Sequence, residues 1–202
     1  MNAQELKDNT VSHLAAALIY TVVSVIVFGL IYPLAMTGIA QLLFPHQAKG
    51  SMISVGGKPV ASAIVGQLWA KPQYFHGRPS AAGKGYDATS TGGTNLGPTS
   101  KKLIDATRQT IEALRKENPD ATMPIPMDLI TSSGSGIDPE ISPEGAHYQA
   151  PRVARARGLT AAEVDALIDR HVQPRTFGII GEPRVNVLEL NMALDAMKRT
   201  AP

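Results

Sequence analysis

Residues 14–34 read LAAALIYTVVSVIVFGLIYPL, with no Asp, Glu, Lys or Arg among them. At about 1.5 Å per residue, these 21 residues make a helix of about 31 Å, close to the hydrocarbon thickness of a bilayer. The charge-free zone is wider still, bounded by Asp8 and Lys49. One charge near the helix centre costs about 2.5–3.5 kcal/mol on insertion scales, and this stretch avoids every such cost. The sequence therefore predicts a transmembrane helix over residues 14–36. A short tail (1–13) precedes it; an interfacial connector (37–50) and one soluble domain (51–202) follow.

Inside the helix, Tyr20 and Tyr32 suit interface belts, and Tyr20 is deep enough to face a second helix instead. Ala15, Ala16, Ala17, Ser24 and Gly29 permit close helix contact in lipid. Pro33 is expected to kink or end the helix. The apolar run Thr37 to Pro45 is too punctuated for a second span. A secretory signal peptide is the alternative, with Gly38-Ile39-Ala40 as a small-x-small cleavage site. Against it stand an apolar length beyond the usual 7–15 residues and a single basic side chain, Lys7, in the preceding segment. A buried core helix would need more chain to wrap it. Lysines lie on both flanks, so the positive-inside rule leaves orientation open.

The 202 residues, less the anchor, suit one domain with a modest core. A net charge of +2, with basic residues scattered except Arg152, Arg155 and Arg157, argues against a nucleic-acid partner. The absence of cysteine excludes disulfides, thiol catalysis and cysteine-ligated metals. The five histidines show no His-x3-His spacing, so a histidine zinc site is not expected.

Within the domain, Ser51 to Leu68 reads as two strands around Gly56-Gly57, the second running on from Val60. Trp69 to Arg78 (WAKPQYFHGR) is loop-like. Gly83 to Ser100 (GKGYDATSTGGTNLGPTS) is a long Gly/Thr/Ser loop, a length that is often functional. Gly92-x4-Gly97 has the glycine frame of a phosphate loop, but Pro98 and Thr99 stand where Lys and Ser/Thr belong, and no apolar strand precedes it. Thr99 or Ser100 caps a helix to about Glu117, with Leu103, Thr107, Ile111 and Leu114 on its buried face.

Pro124 to Gly145 (PIPMDLITSSGSGIDPEISPEG) is a second unusual loop, offering carboxylates at Asp128, Asp138, Glu140 and Glu144. EF-hand spacing is absent, and the acids are expected to cap turns and the helix that starts after Ser142. That helix, bent or broken at Pro151, ends at Gly158. Thr160-x-x-Glu163 is a capping box opening a helix with Val164, Leu167, Ile168 and Val172 on its apolar face. Phe177 to Ile180 suggests a short strand, and Asn186-x-x-Glu189 opens a last helix with Val187, Leu190, Leu194 and Met197 inward. The fold class is α+β behind a membrane helix. There is no Gly-x-Ser-x-Gly elbow, no paired carboxylate at fixed spacing and no histidine in a nucleophile setting, so no catalytic residue is expected.

Six ordered blocks carry a resemblance: YPLAMTGIAQLLFPHQAKGS, YFHGRPSAAG, GGTNLGPTSKKL, PMDLITSSGSGIDPEISPEGA, RVARARGL and VNVLELNMALD. Together they resemble the C subunit of the bacterial high-affinity potassium-transporting ATPase, the Kdp complex, over essentially the whole chain. The resemblance implies a cytoplasmic amino terminus, one inner-membrane helix and an extracytoplasmic α+β domain. It implies a non-catalytic subunit beside a channel-like potassium-carrying subunit, a P-type ATPase subunit and a small single-span subunit. ATP and potassium would be handled by the complex, with no cofactor bound to this chain itself.

The family is described as a catalytic chaperone that raises the ATP affinity of the hydrolysing subunit. ATP is cytoplasmic and the domain would lie outside, so an indirect role is favoured. The domain would cover the potassium entrance, with the acidic loop concentrating or screening cations. Candidate interface residues are Tyr20, Tyr32 and Pro33 in the membrane. In the first loop they are Tyr74, Phe75, Arg78, Pro79, Asn95 and Gly97. In the second they are Asp128, Ser132, Gly134, Gly136 and Asp138, followed by Arg152 and Arg155. An anchored extracytoplasmic enzyme and a secreted binding module remain as alternatives.

Overall fold

The structure, a computed structural model, describes residues 3–197, with side-chain surroundings from residue 10 onward. The outermost parts of the expected tail and domain, residues 1–2 and 198–202, lie outside the described residues. The chain divides into two compact units, Met1–Met52 and Ile53–Pro202.

The first unit is a helical run. Helix α1 (Ala3–Ser24) passes into a wide-turned π segment (Val25–Ile31) and then α2 (Tyr32–Leu43), and a single turn, α3 (Pro45–Ala48), follows. The 34 residues Thr10–Leu43 are long and apolar enough to cross a membrane. Leu14, Phe28, Leu34 and Leu42 stand exposed along them. A crossing helix of that length exceeds the bilayer core, so it tilts or carries its ends into the headgroup layer. Pro33 does not end the helix. The turn before it widens, with the Tyr32 N–H donating to Val27 O, five residues back. Proline has no N–H and its ring crowds the carbonyl four residues back, so the wide turn is where the chain accommodates it.

The second unit mixes helix and sheet. Strands β1 (Met52–Val55) and β2 (Lys58–Ser62) pair across Gly56-Gly57, whose φ values of 60° and 78° are those of a two-residue hairpin turn. The second strand ends at Ser62, short of the expected Leu68. Beyond it the Gly66 N–H turns to Ile137 O at 2.8 Å, and a Cβ at Gly66 would sit 2.5 Å from the Asp138 carbonyl oxygen.

Helix α4 (Lys101–Glu117) starts after Ser100, which occupies the cap position without a side-chain cap bond. Its expected face is in the right register, but Leu103, Thr107, Ile111 and Leu114 are half-buried rather than core. The core belongs to α5 (Pro143–Arg157), α6 (Ala161–His171) and α7 (Val187–Met197), with a three-stranded antiparallel sheet. In that sheet β5 (Arg184–Asn186) lies between β3 (Glu140–Ile141) and β4 (Val172–Gln173), pairing Ile141 and Val172 with Val185. Val153, Val164, Ile168, Val185, Leu190 and Leu194 are fully enclosed.

Cap chemistry fixes the helix ends. The Ser142 hydroxyl accepts from the Gly145 N–H, Thr160 and Glu163 form the reciprocal box, and Asn186 Oδ1 accepts from the Glu189 N–H at 3.1 Å. Gly158, at φ 68°, ends α5 in the left-handed conformation. Pro151 lies inside α5 without breaking it. Val172 leaves α6 to start β4. Phe177 to Ile180 is a tight turn, not a strand: Phe177 and Gly178 have φ of 54° and 77°, and Thr176 bridges back to Ile180.

Candidate interaction site: two loops joined in one lattice

Pro72 to His76 has no strand partner, yet its backbone is paired. Two buried amide side chains take the place of a neighbouring strand. Asn191 Oδ1 accepts from the Phe75 N–H at 2.8 Å, and its Nδ2 donates to Phe75 O at 2.9 Å. Gln149 repeats the pattern one residue on, accepting from the His76 N–H at 2.8 Å and donating to His76 O at 3.0 Å. Arginines take the remaining carbonyls. Arg152, 3% exposed, donates to Pro72 O and Tyr74 O and is held by Asn118 and Gln149. Arg157 donates to Gln73 O at 2.7 Å, pairs with Asp195 and lies over the Tyr74 ring at 4.8 Å.

Unpaired buried backbone groups are costly, so this clamp fixes the path of the loop. Burial draws the Arg152 guanidinium below its ordinary range, against the opposing pull of Glu117. Glu117 is held low chiefly by the hydrogen bond from His76, 3.0 Å away.

The two glycine-rich loops meet directly after this clamp. Arg78 pairs with Asp138 at 3.0 Å. Ser80 donates to Gly136 O and accepts from the Tyr86 N–H, and Tyr86 in turn donates to Arg78 O at 2.7 Å. The Ser133 N–H reaches Pro79 O, and the Gly92 N–H reaches Ser135 O at 2.8 Å. Burial, with the nearby Asp138 charge, pushes the Tyr86 hydroxyl up to about 12, while Arg78 pulls the other way. Asp128 binds the Ser142 N–H at 2.7 Å and the Ser142 hydroxyl at 3.0 Å, tying the loop to the start of α5. Asp138 also accepts from the Glu140 N–H. Both expected acids thus serve as structural acceptors.

The structure brings Tyr74, Phe75, Arg78, Pro79, Gly136, Asp138 and Arg152 into this lattice, with Asp128 at its edge. Ser132 is half-buried beside it and Gly134 is exposed. Asn95 and Gly97 lie exposed on the long loop, Asn95 at φ 52°. Tyr20, Tyr32 and Pro33 belong to the helical run and are exposed there. Arg155 pairs with Asp120 on the surface and Arg157 with Asp195, while Arg152 is buried and bonded to neutral oxygens, so the three neighbouring arginines do not act as one exposed cationic patch.

Sequence reasoning missed Gln149, Asn191, Arg157 and Asn118. The available signal was an amide on an apolar helix face, since Asn191 is four residues after Val187 and three before Leu194. The hollow between the lattice and α4, about 390 Å³, is lined by His76, Arg78, Lys84, Tyr86 and Glu117. Among the described residues no three His, Asp or Glu gather as a metal site.

The family model for KdpC, the K+-transporting ATPase c chain, matches residues 14–196. The chain is 55% identical over 186 residues to the potassium-transporting ATPase KdpC subunit of Caulobacter vibrioides (strain NA1000 / CB15N), covering 92% of this chain and 93% of that one. It is 55% identical over 175 residues to the KdpC subunit of Myxococcus xanthus, covering 86% and 83%. With that of Koribacter versatilis (strain Ellin345) it shares 50% over 184 residues, covering 91% and 94%. The apolar helix from residue 14 onward, the clamp and the paired loops fall within the matched span, and the chain belongs to the KdpC family, the c chain of the K+-transporting ATPase.

Proposed function

We propose that this chain is a non-catalytic accessory subunit of an ATP-driven potassium uptake complex, anchored in the inner membrane by its single helix. Its amino terminus is cytoplasmic and its domain extracytoplasmic. The helix packs against the channel-like and P-type ATPase subunits, and the domain covers the potassium entrance. Support for ATP hydrolysis is indirect, through the stability of the assembly. The Gly92-x4-Gly97 loop has no lysine at the phosphate-loop position, and the Gly92 N–H that would face a phosphate is spent on Ser135. The single observation that carries the reading is the lattice itself. Its polar groups bond one loop to the other, as in a rigid platform. Asp128 and Asp138 are assigned no ion.

Tagged full-length chain purified in mild detergent from potassium-starved cells tests this. Recovery of a polytopic channel-like protein and a P-type ATPase in fixed ratio is the expected result. Recovery of the chain alone across several detergents would overturn it.

A further inference from the structure

The turn after β4 presents apolar side chains outward. Phe177 is 87% exposed, Ile179 76% and Ile180 58%, within four consecutive residues. Such clusters mark contact surfaces, whereas a single exposed leucine does not. The turn is also closed on itself. Thr176 N–H donates to Ile180 O at 2.9 Å, Gly178 N–H to Arg175 O at 3.0 Å, and Ile180 N–H to Thr176 O at 3.0 Å. The amides of Gly178, Ile179 and Ile180 therefore enter an apolar environment already paired. Phe177 holds φ at 54°, a region that bulky side chains avoid and that persists where function uses it.

We propose that the Phe177–Ile180 tip is a preformed anchor that seats in an apolar socket on another subunit of the K+-transporting ATPase. The inference rests on the chain acting as a subunit of that complex. Two observations favour a protein socket over lipid. A bilayer accepts any conformer, so it gains nothing from an aromatic ring fixed at positive φ, whereas a shaped socket gains from a rigid knob. The charges at the base are also paired, Arg175 with Glu182 and Arg184 with Glu140. A lipid-binding tip would carry unpaired basic groups to meet anionic headgroups.

The test places photoreactive benzoylphenylalanine at position 177 of the full-length chain in the assembled complex. A cross-link to a polytopic subunit, identified by mass, is expected. Cross-links only to lipid, only to a second copy of this chain, or none at all would overturn the proposal. Phe177→Asp gives a second arm. An exposed site leaves the melting temperature unchanged, and loss of a central aromatic anchor speeds release from the solubilised complex about 30-fold. An unchanged release rate would count against the anchor. If the wild-type chain binds no subunit at all, the subunit reading itself fails, and that is separable from failure of the tip alone.

Discussion

Asn191 and Phe75 are 116 residues apart in sequence, yet the Asn191 side chain satisfies both backbone polar groups of Phe75, at 2.8 and 2.9 Å. Both residues are 0% exposed. A carboxamide carries one acceptor and one donor face, so it copies the edge of a β-strand at a single residue. Replacement by the near-isosteric Asn191→Leu leaves a buried N–H and C=O unpaired, each costing about 1–3 kcal/mol. The expected loss is about 3 kcal/mol, or a melting point roughly 10 °C lower for a domain of this size. Circular dichroism of full-length protein in detergent measures it. Met127→Ala, at a site 67% exposed, is the control and leaves the melting point within about 1–2 °C.

Glu117 links the clamp to pH. His76 donates to it at 3.0 Å, and this bond, ahead of any other cause, holds its carboxyl below the ordinary 4.5. A carboxyl depressed in the fold adds stability above its unfolded value and loses it as pH falls through the folded one. Stability of the wild-type chain therefore falls as pH drops below about 4.5, in part through Glu117. Glu117→Gln removes that part, so its melting temperature changes less steeply with acid. Melting curves from pH 7 to pH 3 decide the point, and equal slopes in the two proteins would remove Glu117 from the acid response.

How far the fold could be read in advance follows from how local each signal is. Thr160 and Glu163 cap each other three residues apart, and Gly158 ends α5 by its own backbone, so both were legible. The Val164, Leu167 and Ile168 face was likewise visible from helical spacing. The turn at Phe177 to Ile180 was not, because its residue types favour a strand and only the positive φ values of Phe177 and Gly178 reverse the chain. The clamp was hidden for a different reason. Gln149 and Asn191 look like interruptions of apolar faces until the distant backbone they bind is known. The meeting of the two glycine-rich loops through Arg78 and Asp138, 60 residues apart, left no periodic trace.

Tyr86 gives the lattice an alkaline response. Its hydroxyl, pushed up to about 12 from 10.0, favours the protonated form more strongly in the fold than in the unfolded chain. The sign is opposite to that of Glu117: the stabilisation is complete below pH 10 and is lost as pH rises through about 12. Ultraviolet titration is expected to show a tyrosine step that persists to about pH 12, and Tyr86→Phe removes that late step. The same variant loses the hydrogen bond to Arg78 O, costing about 1 kcal/mol at neutral pH. A late step unchanged by Tyr86→Phe would contradict the buried, hydrogen-bonded hydroxyl.

Gly134 and Gly136 lie two residues apart and answer differently to an added methyl group. At Gly136, φ is 73°, and a Cβ would meet Ala82 Cβ at 2.6 Å, with Ala82 N and Gly92 O at 2.8 Å. Two of those three atoms are backbone, so relief requires moving the loop that carries Ala82 and Gly92. Gly136→Ala therefore separates the two loops, breaking the Ser80 bond to Gly136 O and the Gly92 bond to Ser135 O. The expected cost is at least about 1–3 kcal/mol from the backbone conformation alone. At Gly134 a Cβ meets open space, and Gly134→Ala leaves the melting temperature within about 1–2 °C of wild type. If the lattice is the platform on which the complex assembles, Gly136→Ala also lowers recovery of the other subunits with the tagged chain, and Gly134→Ala does not. A Gly136→Ala chain that melts lower yet recovers those subunits in full would confine the lattice to folding.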